Sequence, residues 1–229
     1  METMKLSQRL KQVASFVPEG ACVLDVGSDH AYLPIYLIQQ GRIQQAIAGE
    51  VVEGPYQSAL KNVAEHGLAE QIQVRLANGL AAFETTDGVS AIVIAGMGGR
   101  LIADILDKGR EKLADVERLI LQPNNREDDL RKWLSAHDFQ IIAEDILEEA
   151  GKIYEILVVE AGQQDLTEQE LRFGPFLRKE QSSVFQAKWQ KELDKLTYAL
   201  KQIPKQNVAD RELIQTKIQQ IKEVLYVSE

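Results

Sequence analysis

The residues best suited to chemistry lie in one short run, Asp25-Val26-Gly27-Ser28-Asp29-His30, and in an acid about 20 positions further on, Glu50. A lone glycine between an apolar run and a polar turn lets the backbone bend sharply and come close to a ligand. The helix expected next has Pro34 in its first turn. Its free N–H groups and positive dipole end would face a carboxylate or a phosphate. Glu50 follows the second apolar run, at the end of that strand, where an acid can accept hydrogen bonds from both ribose hydroxyls of an adenosyl cofactor. NAD would require G-x-G-x-x-G to bring the backbone onto a pyrophosphate, and Asp29 stands where a further glycine belongs. A carboxylate repels a pyrophosphate and attracts a sulfonium and an ammonium. The expected cofactor is S-adenosyl-L-methionine.

Other candidates follow later strand ends. Asn78, before Gly79, can donate to and accept from an adenine edge, or can form an ordinary Asn-Gly turn. Gly96-Met97-Gly98-Gly99 leaves a floor nearly free of side chains, against which a flat base could lie with Met97 on its face. Gln122 and Asn124 are candidates for the acceptor pocket, and Asn125 for the cap of the next helix. Asp29 is read either as a stabiliser of positive charge or as a helix N-cap, and His30 either orients a base or packs. Arg9 is the one strong polar candidate on an N-terminal helix that could cover the cofactor.

The elements that position these residues follow from periodicity. Short branched apolar runs at Cys22–Val26, Gln45–Ala48, Ile72–Leu76, Ala91–Ala95 and Arg118–Leu121 alternate with helical stretches at Leu33–Gln40, Leu101–Leu106 and Glu127–Ala136. A helix over Leu6–Val17 precedes them. Phe139–Ile146 and Ile153–Glu160 are joined by too few residues for a crossover helix, so a closing antiparallel hairpin is expected. The predicted fold is α/β, a Rossmann-like sheet of the class I methyltransferase kind, by analogy of architecture.

Length and charge set the outer limits. The 229 residues suffice for one full α/β domain, expected over 1–164, and a smaller one over 165–229. No apolar run long enough to span a membrane and no signal-peptide pattern is present, so a soluble cytoplasmic protein without membrane contact is expected. One cysteine and three scattered histidines predict no disulfide and no metal. The net charge of −9 is uneven, since the part from Asp165 onward holds 11 Lys plus Arg against 10 Asp plus Glu.

That last part changes character. Trp189, Leu193, Leu196, Leu200 and Ile203, then Ile214, Ile218, Ile221 and Leu225, follow coiled-coil spacing on either side of Pro204, predicting two antiparallel helices. Lys188, Lys191 and Lys195 share one helix face. It is either a solvated coiled-coil surface or a clamp for the backbone of folded RNA.

D-V-G-S-D-H-A-Y-L-P, G-E-V-V-E-G-P, A-N-G-L, A-G-M-G-G and L-Q-P-N, in this order and before a helical hairpin, resemble the bacterial tRNA (adenine(22)-N1)-methyltransferase family. The resemblance implies methylation of N1 of an adenine in tRNA from S-adenosyl-L-methionine, with the hairpin helping to hold the tRNA. It also implies that Asp25, Gly27, Ser28, Asp29 and His30 surround the methionine part, Glu50 the ribose and Asn78 the adenine. Gly96, Met97, Gly98 and Gly99 would lie at the methyl-transfer region. Many methyltransferases have Asp where Asn78 stands. A protein or small-molecule methyltransferase, and a non-catalytic cofactor-binding regulator, are the competing functions. The oligomeric state is left open, with a monomer favoured.

Overall fold

The computed structural model describes residues 4–226. Seven strands form one sheet in the order β3-β2-β1-β4-β5-β7-β6. They are β1 (Cys22–Val26), β2 (Gln45–Glu50), β3 (Ile72–Leu76), β4 (Ala91–Met97), β5 (Arg118–Pro123), β6 (Phe139–Glu149) and β7 (Lys152–Ala161). The first five are parallel, while β7 runs antiparallel to both β5 and β6. The chain winds outward from β1 in both directions, so the strand order reverses between β1 and β4, where ligands bind in open α/β sheets.

Alternation within the strands builds a core on each face. Leu24, Val26, Ile92 and Ile94 belong to one and Val23, Ala91 and Val93 to the other. Helices cover both faces: α1 (Gln8–Ser15), α2 (Tyr32–Gln39) and α3 (Glu53–Glu65) on the second core's side, α4 (Gly99–Lys108) and α5 (Glu127–Ala136) on the first. Gly54 and Pro55 lie inside the first turn of α3, where a proline is tolerated.

Several strands run further than periodicity predicts. β2 reaches Glu50, and the β6–β7 hairpin is longer at both ends. β4 continues through Gly96 to Met97, with a break in register after Ala95, and β5 continues to Pro123. Pairing along the strand extends it into polar residues that hydropathy alone excludes.

Two short helices, α6 (Glu168–Phe173) and α7 (Leu177–Glu180), lead into α8 (Ser183–Gln202) and α9 (Val208–Tyr226). Thr167 and Glu170 form a reciprocal capping box at the start of α6. α8 and α9 run antiparallel: Arg211 donates to the carbonyls of Leu200 and Ile203, and Tyr226 to Gln190. Their shared core includes Phe173, Phe185, Trp189, Leu193, Ile221 and also Ile146 of β6. Among the described residues no helix is long and apolar enough to cross a membrane, and no cluster of three or more His, Cys, Asp or Glu could hold a metal.

Candidate active site

Parallel pairing of β1 with β2 sets the first part of the site. Val26 stands opposite Gly49, so the turn after β1 emerges beside Glu50. The amides of Gly27 and Ser28 both donate to the Gly49 carbonyl, at 2.9 and 3.1 Å. Gly27 has φ +68°, and a Cβ there would lie 2.4 Å from the terminal methyl of Met97. Any side chain there would have to displace the tip of the Met97 side chain and would sit in a strained left-handed conformation.

The next three residues, Asp29, His30 and Ala31, all have positive φ, at 41°, 70° and 58°. Consecutive left-handed non-glycine residues are costly and persist only where their surroundings enforce them. Two contacts do so: Glu50 accepts the Asp29 amide, and Asn62 of α3 donates to the His30 carbonyl at 2.7 Å. The left-handed Ala31 is the N-cap of α2 and makes no side-chain cap, so the capping role weighed for Asp29 is not realised. The Asp29 carboxylate is exposed, 3.5 Å from Nε2 of His30, whose ring stacks on Tyr32.

Beneath this turn sits Asp25, 5 % exposed, with the Ser28 hydroxyl donating to it at 2.5 Å. Burial pushes its carboxyl up to about 7, Ser28 acts against this, and the neighbouring Glu50 and Asp29 add to it. Burial likewise raises Glu50. Three carboxylates thus converge on a turn with no arginine or lysine paired to them among the described residues. That donor set suits a guest that brings its own positive charge and ribose hydroxyls, as S-adenosyl-L-methionine does.

Asn78 and Gly79 follow β3 on the same sheet edge. Asn78 is exposed and its side chain caps nothing, so its amide is open to a ligand. Gly79, at φ +56°, lies against Ile105 of α4.

The floor from β4 is built by several neighbours. The Gly96 amide donates to Oε1 of Gln122 at 3.1 Å, and the Gly96 carbonyl accepts from Asn124 at 2.7 Å. The Gly98 position faces the Asn125 side chain, and the Gly99 amide donates to the Asn125 carbonyl at 2.9 Å. Gln122 is fully buried, and its amide is consumed by Arg9, Gly96, Pro123 and Asn124. It therefore supports the floor from below and does not line an acceptor pocket, because β5 extends past it. The cap expected from Asn125 is also absent: the N-cap of α5 is Arg126, in a left-handed conformation.

Arg9 reaches this region from α1, donating to Gln122 with its guanidinium 5.4 Å from the Tyr154 ring centre. Its placement depends on Glu149 at the end of β6, whose carboxylate accepts the Gln8 and Arg9 amides. Asn62, Glu149 and Tyr154 were not found by sequence reasoning. Nothing local marks them, since each acts on a residue at least 32 positions away.

On the far side, a cleft of about 540 Å³ separates Asn124 and Asn125 from α8. Lys191 and Lys195 line it and are exposed, Lys195 lying 3.4 Å from Glu192. Lys188 departs from the expectation of a free cation: its ammonium is paired with Glu127 at 3.0 Å and Glu155 at 2.6 Å.

Comparison with known proteins agrees with this geometry. A curated protein of Bacillus subtilis (strain 168), named tRNA (adenine(22)-N(1))-methyltransferase, is 44% identical over 227 residues, covering 96% of this chain and 94% of that protein. A Streptococcus pneumoniae protein solved in complex with S-adenosyl-L-methionine is 68% identical with a TM-score of 0.92, over 97% of this chain and 100% of that one. M. capricolum TrmK, solved with the cofactor product S-adenosyl-homocysteine, is 31% identical with a TM-score of 0.85, over 96% and 97% of the two chains. The model of one family matches residues 23–223, from β1 through most of α9. The motifs, nearly the whole sheet and most of the appended helices fall within that match, and the chain belongs to the tRNA (adenine(22)-N(1))-methyltransferase family.

Proposed function

We propose that this enzyme methylates N1 of adenine 22 in tRNA, using S-adenosyl-L-methionine, in the cytoplasm. The observation that carries this reading is the cation-seeking turn at the strand-order reversal, with Glu50 closing on it, in a chain of this family. Residues 1–164 hold the cofactor and the reacting base, and residues 165–229 contribute to tRNA binding.

The cofactor, when bound, supplies an activated methyl on a sulfonium. Asp25, Gly27 and Ser28 surround its methionine part, Glu50 accepts from the ribose hydroxyls, and Asn78 with Gly79 borders the adenine. Met97 and Gly98 shape the methyl-transfer region, while Gly96 and Gly99 hold that floor to β5 and its loop. N1 of adenine carries a free lone pair, so no residue need remove a proton before attack. The protein's work is to hold the acceptor in line, which by itself supplies a large part of an enzymatic rate. Since N1 is paired in a duplex, the base must be extruded or unpaired. Methylation leaves a positive charge on the base. The exposed Asp29 carboxylate, within reach of His30, is placed to stabilise that charge as it develops. Asn124 borders the acceptor, Arg9 fixes the floor through Gln122, and Lys191 and Lys195 meet the tRNA backbone.

Purified protein with labelled S-adenosyl-L-methionine and unmodified tRNA should yield 1-methyladenosine in the fragment containing position 22. Asp29→Ala should lower turnover more than cofactor affinity, and Glu50→Ala should mainly weaken the cofactor. No label in tRNA despite cofactor binding would overturn the substrate. Equal loss of cofactor binding in the two variants would remove Asp29 from catalysis.

A further inference from the structure

We propose that Lys188 is a positioning residue that ties the helical hairpin to the loop carrying Asn124 and Asn125, and not a contact to nucleic-acid phosphate. This rests on the tRNA-methylating reading above. Its ammonium lies 2.6 Å from Glu155 of β7 and 3.0 Å from Glu127, the first residue of α5. Glu127 is two positions beyond Asn125.

The tie continues inward. The other Glu155 oxygen accepts from Arg131 at 2.6 Å, and Arg131 reaches Glu144 of β6 at 2.6 Å. The second oxygen of Glu144 accepts the amides of Phe176, at 2.9 Å, and Leu177, at 3.4 Å. One network thus joins α5, β6, β7, the α6–α7 segment and α8. Its charges are Arg131 and Lys188 against Glu127, Glu144 and Glu155, two cations facing three carboxylates. Within this network the Lys188 charge is already matched by Glu127 and Glu155, so Lys188 has little net positive charge to offer a phosphate. The Lys188 side chain is 24% exposed, which leaves little of it for a polyanion.

The same loop is held on its sheet side by backbone bonds, Asn124 to Met97 at 2.7 Å and Gly99 to Asn125 at 2.9 Å. Lys188 supplies the anchor on the opposite side. Loosening it lets the loop drift relative to the methyl-transfer floor, and a displacement near 1 Å at such a place costs roughly a hundredfold in rate.

The test uses Lys188→Gln and Glu127→Gln in the full-length enzyme, because they remove opposite charges. A positioning role predicts that both lower kcat on tRNA, by on the order of tenfold or more. It also predicts an unchanged cofactor Kd and a wild-type salt dependence of tRNA binding. Lys195→Gln is the comparator, expected to lower the salt slope by about 1. A shallower salt slope with intact kcat in Lys188→Gln would overturn the proposal, as would tighter tRNA binding with intact kcat in Glu127→Gln. Should Lys188→Gln fail to fold, Glu127→Gln carries the test alone. If wild-type protein does not methylate tRNA, the functional reading falls separately. The tie is then read from amide hydrogen exchange over residues 124–127. Faster exchange in the variants supports it and unchanged exchange refutes it.

Discussion

Asp25 is buried beside two other carboxylates, with only the Ser28 hydroxyl donating to it among the described residues, and its carboxyl is pushed up to about 7 from 3.8. Between those two values the folded protein holds a proton that the unfolded chain has lost. This group's contribution to stability therefore falls as pH rises from about 4 to about 7. A bound sulfonium and ammonium reverse the preference, favouring the ionised carboxylate and expelling the proton. Cofactor affinity should accordingly rise with pH between about 6 and 8, with proton release, and Asp25→Asn should flatten that rise. Calorimetry in buffers of different ionisation heat measures both quantities. A flat wild-type profile, or a variant that keeps the slope, would exclude Asp25 as the titrating group. At this scale the sequence is informative about residue type and poor about company. Gly27 and Glu50 are legible because a turn and a strand end require them. The left-handed run Asp29-His30-Ala31 is not, since its conformation is imposed by Glu50 and by Asn62 from another helix.

At the scale of elements, the run Gly96 to Gly99 is legible as an open floor, but its glycines serve different neighbours. A Cβ on Gly96 would approach only the Arg9 side chain at 3.6 Å, and one on Gly98 the Asn125 side chain at 3.1 Å. On Gly99 it would lie 2.2 Å from the Arg126 backbone carbonyl. Alanine gains at most about 1 kcal/mol of helix propensity over glycine. A backbone clash that parts α4 from the β5–α5 loop outweighs it, so Gly99→Ala should cost about 1–3 kcal/mol net. Gly98→Ala should cost less, because a side chain can move aside. Urea unfolding of both variants decides the matter, and an equal or smaller loss at Gly99 would mean that the loop yields easily. The strand ends show why periodicity stops short of such contacts. Gln122 is polar, so hydropathy ends β5 before it, yet pairing with β4 continues and buries it. The candidate acceptor pocket consequently begins two residues later, at Asn124, just past the end of β5.

The whole molecule is held at its junction by charge as well as by apolar packing. The change of composition after residue 164 and the coiled-coil spacing mark an appended unit in the sequence. Nothing there marks Arg131, which sits in E-D-D-L-R-K-W-L like any surface residue of an amphipathic helix. In the fold it is fully buried between Glu144 and Glu155, on strands whose polar residues give no hint of a shared partner. Removing one member of a buried ion network leaves uncompensated charge in the interior, so Arg131→Met should destabilise the protein by about 3–5 kcal/mol. The two tryptophans serve as separate reporters: Trp133 stacks on His137 in α5, and Trp189 packs edge-on to Phe173 beneath α8. Single-tryptophan variants, each followed in urea, should show both midpoints falling together in Arg131→Met. The reason is that Glu144 and Glu155 belong to the sheet while Lys188 and the Phe176 amide belong to the helical part, so a stranded carboxylate weakens both at once. A loss below about 1 kcal/mol would show that the carboxylates reach water or a proton instead. A shift confined to Trp189 would mean that the network pins the hairpin without supporting the sheet.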